Sequence, residues 1–151
     1  MTDLSGAARS GSKFGLEDVV EVSYPTEWRR AQRNPGADGK PGPIEFSSPA
    51  AFETRNTGST FEARLDTDQE GVMLRYSVQR VIAGDRSVHH RIHRDGKWQE
   101  DVSFPRLSVN EWASTLRISR GQWTLVGSGT DFDAKGHLDK ARSVLAFIKV
   151  E

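Results

Sequence analysis

The sequence predicts an all-β chain, an antiparallel sandwich or open curved sheet of about eight to ten strands with one long Pro/Gly-rich loop. Three observations carry that expectation. Val72, Leu74, Tyr76 and Val78 alternate with Met73, Arg75, Ser77 and Gln79, the period-2 pattern of a strand with one face on a core. Asp95-Gly96 stands between two further alternating segments, and a two-residue hairpin turn with positive φ favours that dipeptide. No segment sustains a 3.6-residue apolar period. Residues 134–146 come nearest, through Leu138, Ala141, Leu145 and Ala146, but the apolar run 144–150 suits a strand better.

Met1 to Lys13 is small and polar, and is expected to be a flexible segment ahead of a single β domain over 14–151. Asp18 to Tyr24 is rich in β-branched and aromatic residues and is stopped by Pro25, which reads as the first strand. Prolines and glycines then concentrate up to Pro49, so residues 25–49 are expected as an irregular loop opened by Trp28-Arg29-Arg30. Ala51 to Thr54 starts a second strand. Asn56-Thr57-Gly58 offers a bend or bulge before Ser59 to Asp66, where Phe61, Ala63 and Leu65 alternate with Glu62 and Arg64. Gln69-Glu70-Gly71 turns into the 72–79 strand, and Ala83-Gly84-Asp85 breaks the chain before Ser87 to Arg94. Lys97 to Phe104 returns from the hairpin. Glu111 to Ile118 follows with Trp112, Leu116 and Ile118 on one face, then Gln122 to Val126, and Ala141 to Val150 closes the chain.

The 151 residues suffice for one core, since folding at this length buries roughly two-thirds of the unfolded surface. Cysteine is absent, which excludes disulfides, thiolate nucleophiles and cysteine-based metal sites. Twenty-one basic residues balance twenty-one acidic ones, so no net field attracts a phosphate backbone and nucleic acid is not expected as a partner. No apolar stretch approaches the roughly 20 residues of a membrane-spanning helix, and Met1 to Ser12 shows no secretory signal pattern.

Candidate chemistry is sparse, and no catalytic residue, cofactor or metal is expected. His89 and His93 share a strand face but lie about 13 Å apart on an extended chain, too far for one ion. Gly127-Ser128-Gly129 is a fragment of a nucleophile elbow without its flanking strand and helix, and reads as a flexible strand end. Pro35 to Lys40 lacks the spacing of a phosphate loop. The carboxylate pairs Asp66/Asp68 and Asp131/Asp133 stand beside turn signals, where solvated side chains that cap backbone amides are expected. An enzyme would have to use Asp131, Asp133 or His137 together. The contact candidates are Tyr24, Trp28, Arg29, Arg30 and Arg33, because an aromatic among arginines can anchor a protein, peptide or glycan.

Three motifs in order carry a family resemblance: Val20-Glu21-Val22-Ser23-Tyr24-Pro25-Thr26-Glu27, then Ala51 to Ala63 with Glu53-Thr54-Arg55-Asn56-Thr57-Gly58, then Ser114 to Gly127 with Gly121-Gln122-Trp123-Thr124-Leu125-Val126-Gly127. Together they resemble the C-terminal β-domain of bacterial secretins, the ring-forming pores of type II and III secretion and type IV pilus systems. The closing Ser143 to Val150 is similar to that family's terminal strand. The resemblance spans about Ser5 to Val150. It lacks the family's Val-Pro-x-Leu-Gly-x-Ile-Pro segment after the third motif and the modules that precede the domain, so a shortened or divergent relative without membrane insertion is the expectation. It implies a non-enzymatic assembly module of the periplasm or cell envelope, working through protein partners or self-association. The rival expectation is a monomeric binding module presenting residues 25–49.

Overall fold

The computed structural model describes residues 2–36, 40–69 and 71–151, and among these the chain is all-β with antiparallel sheets and no helix. The strands are β1 (Lys13–Arg29), β2 (Gln32–Pro35), β3 (Pro41–Glu45), β4 (Ser48–Asp68), β5 (Gly71–Arg94), β6 (Lys97–Ile118), β7 (Thr124–Phe132) and β8 (Leu138–Ile148). One four-stranded sheet runs in the order β1-β4-β5-β6, while β2 pairs with β3 and β7 with β8.

The strands are fewer and longer than the punctuation of the sequence suggests. Strand β4 has 21 residues, β5 has 24 and β6 has 22, against the five or six that are usual. Gly58, Gly84 and Pro105 each fall inside a strand. Gly58 has φ 122°, and a Cβ there would meet the Asp18 carbonyl of β1, so it absorbs an irregularity without ending β4. Gly84 lies where a Cβ would run into the Lys135 carbonyl. Pro105 is tolerated because β6 ends the sheet order and has a side that needs no ladder donor. Gly127-Ser128-Gly129, expected as a flexible end, continues β7. Residues 134–146 form no helix.

Residues 25–49 are not one irregular loop. Tyr24 to Arg29 belongs to β1, and β2 pairs with β3 through Gln32 opposite Glu45 and Arg33 opposite Ile44. A two-stranded ribbon accepts Pro35, Pro41 and Pro43 because each strand has an unpaired side. Ala37 to Gly39, the middle of the phosphate-loop comparison, and Glu70 in the expected 69–71 turn lie outside the described residues.

Two compact units divide the chain: Met1–Val20 with Asn56–Gly84 and Leu107–Glu151, and Glu21–Arg55 with Asp85–Arg106. The first holds the main core. Ala63, Val72, Leu74, Tyr76, Ile118 and Val126 are buried together, with Phe14, Phe61, Leu65, Trp112, Ala146 and Ile148 packed around them. Register sets this up: Leu65 opposes Leu74, and small Ala63 opposes large Tyr76. The Tyr76 hydroxyl donates to the Val126 carbonyl at 2.6 Å and Trp112 Nε1 to the Ser128 carbonyl at 3.1 Å. These bonds fix β7 over the apolar face of the sheet. At the start of the chain the Gly11 N–H donates to the Leu65 carbonyl at 2.6 Å, and Ser10 Oγ accepts from the Thr67 N–H at 3.0 Å.

The Gly84 contact gives a direct test. Replacing Gly84 with Ala sets a methyl group against a backbone carbonyl that cannot rotate away. A loss of about 1–3 kcal/mol in urea unfolding is expected, and an unchanged midpoint would show that the backbone there has slack.

Candidate functional site

The five contact candidates all fall in the second unit. Tyr24 is half-buried, and its hydroxyl reaches Glu53 Oε2 at 3.4 Å. Trp28 turns inward, its ring edge-on to Phe104 with centroids 6.4 Å apart. Its indole nitrogen is buried and has no hydrogen-bond partner among the described residues. Arg29, Arg30 and Arg33 are exposed. The structure therefore separates the aromatic from the arginines: Trp28 is a packing residue of its unit, and the three guanidinium groups face solvent.

The same unit contains a polar cluster that the pattern of the sequence conceals. Asp101, whose side chain is fully buried, accepts the Ser47 N–H on Oδ1 at 2.6 Å and the Ser47 hydroxyl on Oδ2 at 2.7 Å, while His90 Nδ1 lies 2.7 Å from the same Oδ2. Burial alone would raise the Asp101 pKa, but the two Ser47 bonds and the His90 contact outweigh it and hold the carboxyl below its ordinary value. Serine, histidine and aspartate invite comparison with a hydrolytic triad. The order differs. A nucleophilic serine needs histidine between itself and the carboxylate, whereas here Asp101 stands between Ser47 and His90. The Ser47 hydroxyl also accepts the Ala31 N–H at 3.0 Å. The cluster thus joins the chain on either side of the β2-β3 ribbon to β5 and β6.

The other histidines of β5 pack on rings: His89 on Phe104 at 4.9 Å and His93 on Trp98 at 5.4 Å. In the first unit Asp131 is buried rather than solvated, in contrast to the expectation for a turn residue. It pairs with Arg80 and with Arg142, the latter at 2.9 Å, and also accepts the Phe132 N–H. Desolvation opposes its charge, yet the arginines and the amide lower its pKa overall. Asp133 does cap backbone amides, accepting from Lys135 at 2.9 Å and His137 at 2.8 Å. The His137 amide is the main reason its pKa is also lowered. Asp131 and Asp133 thus have separate structural partners, one buried and one in a turn. Asp66 and Asp68 pair with Arg64 and Arg117.

Two surface features remain. Strands β1 and β6 end the four-stranded order, so each has a side that is not paired within that sheet. The outward side of the β7-β8 pair is apolar. Leu125 opposes Phe147 across the strands, and Trp123, Leu125, Leu145 and Phe147 are each half or more exposed. The inward residues Val126, Ala146 and Ile148 meet the core. The signal for this face was present in the sequence, because Val144 to Ile148 is apolar without alternation. Such a run belongs to a strand covered on both faces.

Protein-family models give no match to this chain, and neither curated proteins nor solved structures match it. The arrangement itself offers backbone edges and an exposed apolar sheet face.

Proposed function

We propose that the chain is a non-enzymatic assembly module, similar to a secretin β-domain, that acts through protein–protein contacts in a secretion or pilus-type system. The observation that carries this reading is the pair of long terminal strands. Strands β1 and β6 span 17 and 22 residues, and the amides and carbonyls on their outer sides can be extended by a strand of a neighbouring chain. The three secretin-like motifs support the same reading by their positions, since the first lies on β1, the second on its neighbour β4, and the third runs from β6 into β7. The open curved sheet is the form of the fold that fits it, because a closed one would offer no edge.

Sedimentation of the full chain over a rising concentration series tests the proposal. Association beyond the monomer is expected. Val20 is 69% exposed on β1 and Val109 is 37% exposed on β6, so both can be replaced by Lys to blunt the edges. The Val20→Lys, Val109→Lys variant should associate at least about fivefold more weakly with an unchanged thermal midpoint. A chain that stays monomeric at the highest concentration reached would overturn the proposal.

A further inference from the structure

The outward face of β7-β8 needs a cover that the rest of the described chain does not provide. Among the described residues, ten large hydrophobic side chains are exposed, and five of them lie between Trp123 and Phe147. Four form one stripe. Leu125 (50% exposed), Leu145 (54%) and Phe147 (50%) share the face defined by the Leu125–Phe147 pair, and Trp123 (67%) stands immediately ahead of β7, two residues before Leu125. With about 150–250 Å² per large side chain, they present roughly 450 Å² of apolar surface. A stable interface takes about 800 Å² from each partner, and in homodimers about 65% of it is apolar, or roughly 500 Å². The stripe matches that requirement.

We infer that this face packs against the same face of a second copy, related by a two-fold axis. The inference rests on the assembly reading and adds a surface to it that is separate from the strand edges. Charge favours a second copy as the occupant. A two-fold interface brings each group near its own equivalent, so any charge in its centre would meet a like charge. Between Leu125 and Phe147 the stripe continues through Ser128, which opposes Leu145, and through Thr130 opposite Ser143, all uncharged. Beyond Phe147, Lys149 and Glu151 pair with each other at 2.7 Å, and beside Ser143 the Arg142 guanidinium is paired with Asp131 at 2.9 Å. The chain as a whole has formal net charge zero, so two copies approach without net repulsion. The unbroken apolar run of β8 is then accounted for: one side meets the core of its own chain and the other meets the partner.

The absence of cysteine makes the test clean, because a single introduced thiol can react only with its counterpart. Ser128 is exposed beside the stripe, and only its backbone carbonyl takes part in the bond from Trp112. Ser128→Cys should form a disulfide-linked dimer under mild oxidation, and no longer ladder. Adding Leu125→Asp and Phe147→Asp should abolish that dimer and weaken association more than tenfold in sedimentation, while circular dichroism and the thermal midpoint stay as in the parent. If Ser128→Cys does not cross-link while the chain still associates and the Lys edge variant weakens it, the two-fold face is wrong and the assembly reading stands. A dimer that survives the two aspartates would equally overturn the face. Monomer under all conditions would remove both.

Discussion

Replacing Leu74 with Ala should cost about 3–4 kcal/mol of unfolding free energy, read as a shift of the urea midpoint. Leu74 is completely buried, opposes Leu65 across β4 and β5, and belongs to a cluster of six buried apolar residues among those described. Removing its isobutyl group leaves a cavity that the paired strands cannot close, because their backbones are fixed by the ladder. Total stabilities of this class of protein are about 5–15 kcal/mol, so one substitution removes a large part of the whole. The internal control is Leu145→Ala. That side chain is 54% exposed, and its loss should change the stability of the isolated chain by no more than about 0.5 kcal/mol. Equal effects at both positions would mean that the core is not where the burial places it.

That contrast also shows which parts of the fold the sequence discloses. Strand character and facing are written in side-chain alternation, so the 72–79 segment, the Asp95-Gly96 hairpin and the inward set Phe61, Ala63 and Leu65 can be read directly. Strand length is not. Gly84 and Pro105 are ordinary breakers in a sequence. Only the structure shows that Gly84 faces the Lys135 carbonyl and that Pro105 occupies a terminal strand. The same limit governs the proline-rich stretch: local propensity predicts a loop, and the pairing of Arg33 with Ile44 turns it into a ribbon.

Polar residues were harder to read than apolar ones for a related reason. Asp131 and Asp133 are indistinguishable by type and spacing, yet one is enclosed by Arg80 and Arg142, and the other caps a turn. Their difference depends on arginines 51 residues before and 11 after Asp131, which no local pattern contains. An indole in a polar stretch needs a cover, and Phe104 supplies one to Trp28. The apolar side of β8 is the opposite case. It was legible as a strand with both faces apolar, and its meaning depended on seeing that only one face is covered.

The largest polar effect is expected at Asp101. Asp101→Ala would leave the Ser47 N–H and hydroxyl without their acceptor and remove the carboxylate beside His90. A loss of about 3 kcal/mol is expected, because a buried, multiply bonded charged group leaves unsatisfied partners behind. Acid adds a signature that a packing defect would not produce. The Ser47 bonds and the His90 contact hold the folded Asp101 carboxyl below its ordinary value of 3.8, so the unfolded chain takes up its proton first. The stabilisation is therefore complete above about pH 4 and disappears as the pH falls below 3.8 through the folded value. Asp131 contributes a slope of the same sign, so the wild-type curve alone does not isolate Asp101. The difference between wild type and Asp101→Ala does. It should shrink steadily as the pH falls below about 4, since the variant has no carboxylate at this position to lose. A difference independent of pH down to 2 would show that Asp101 acts in the fold through its shape rather than through its charge.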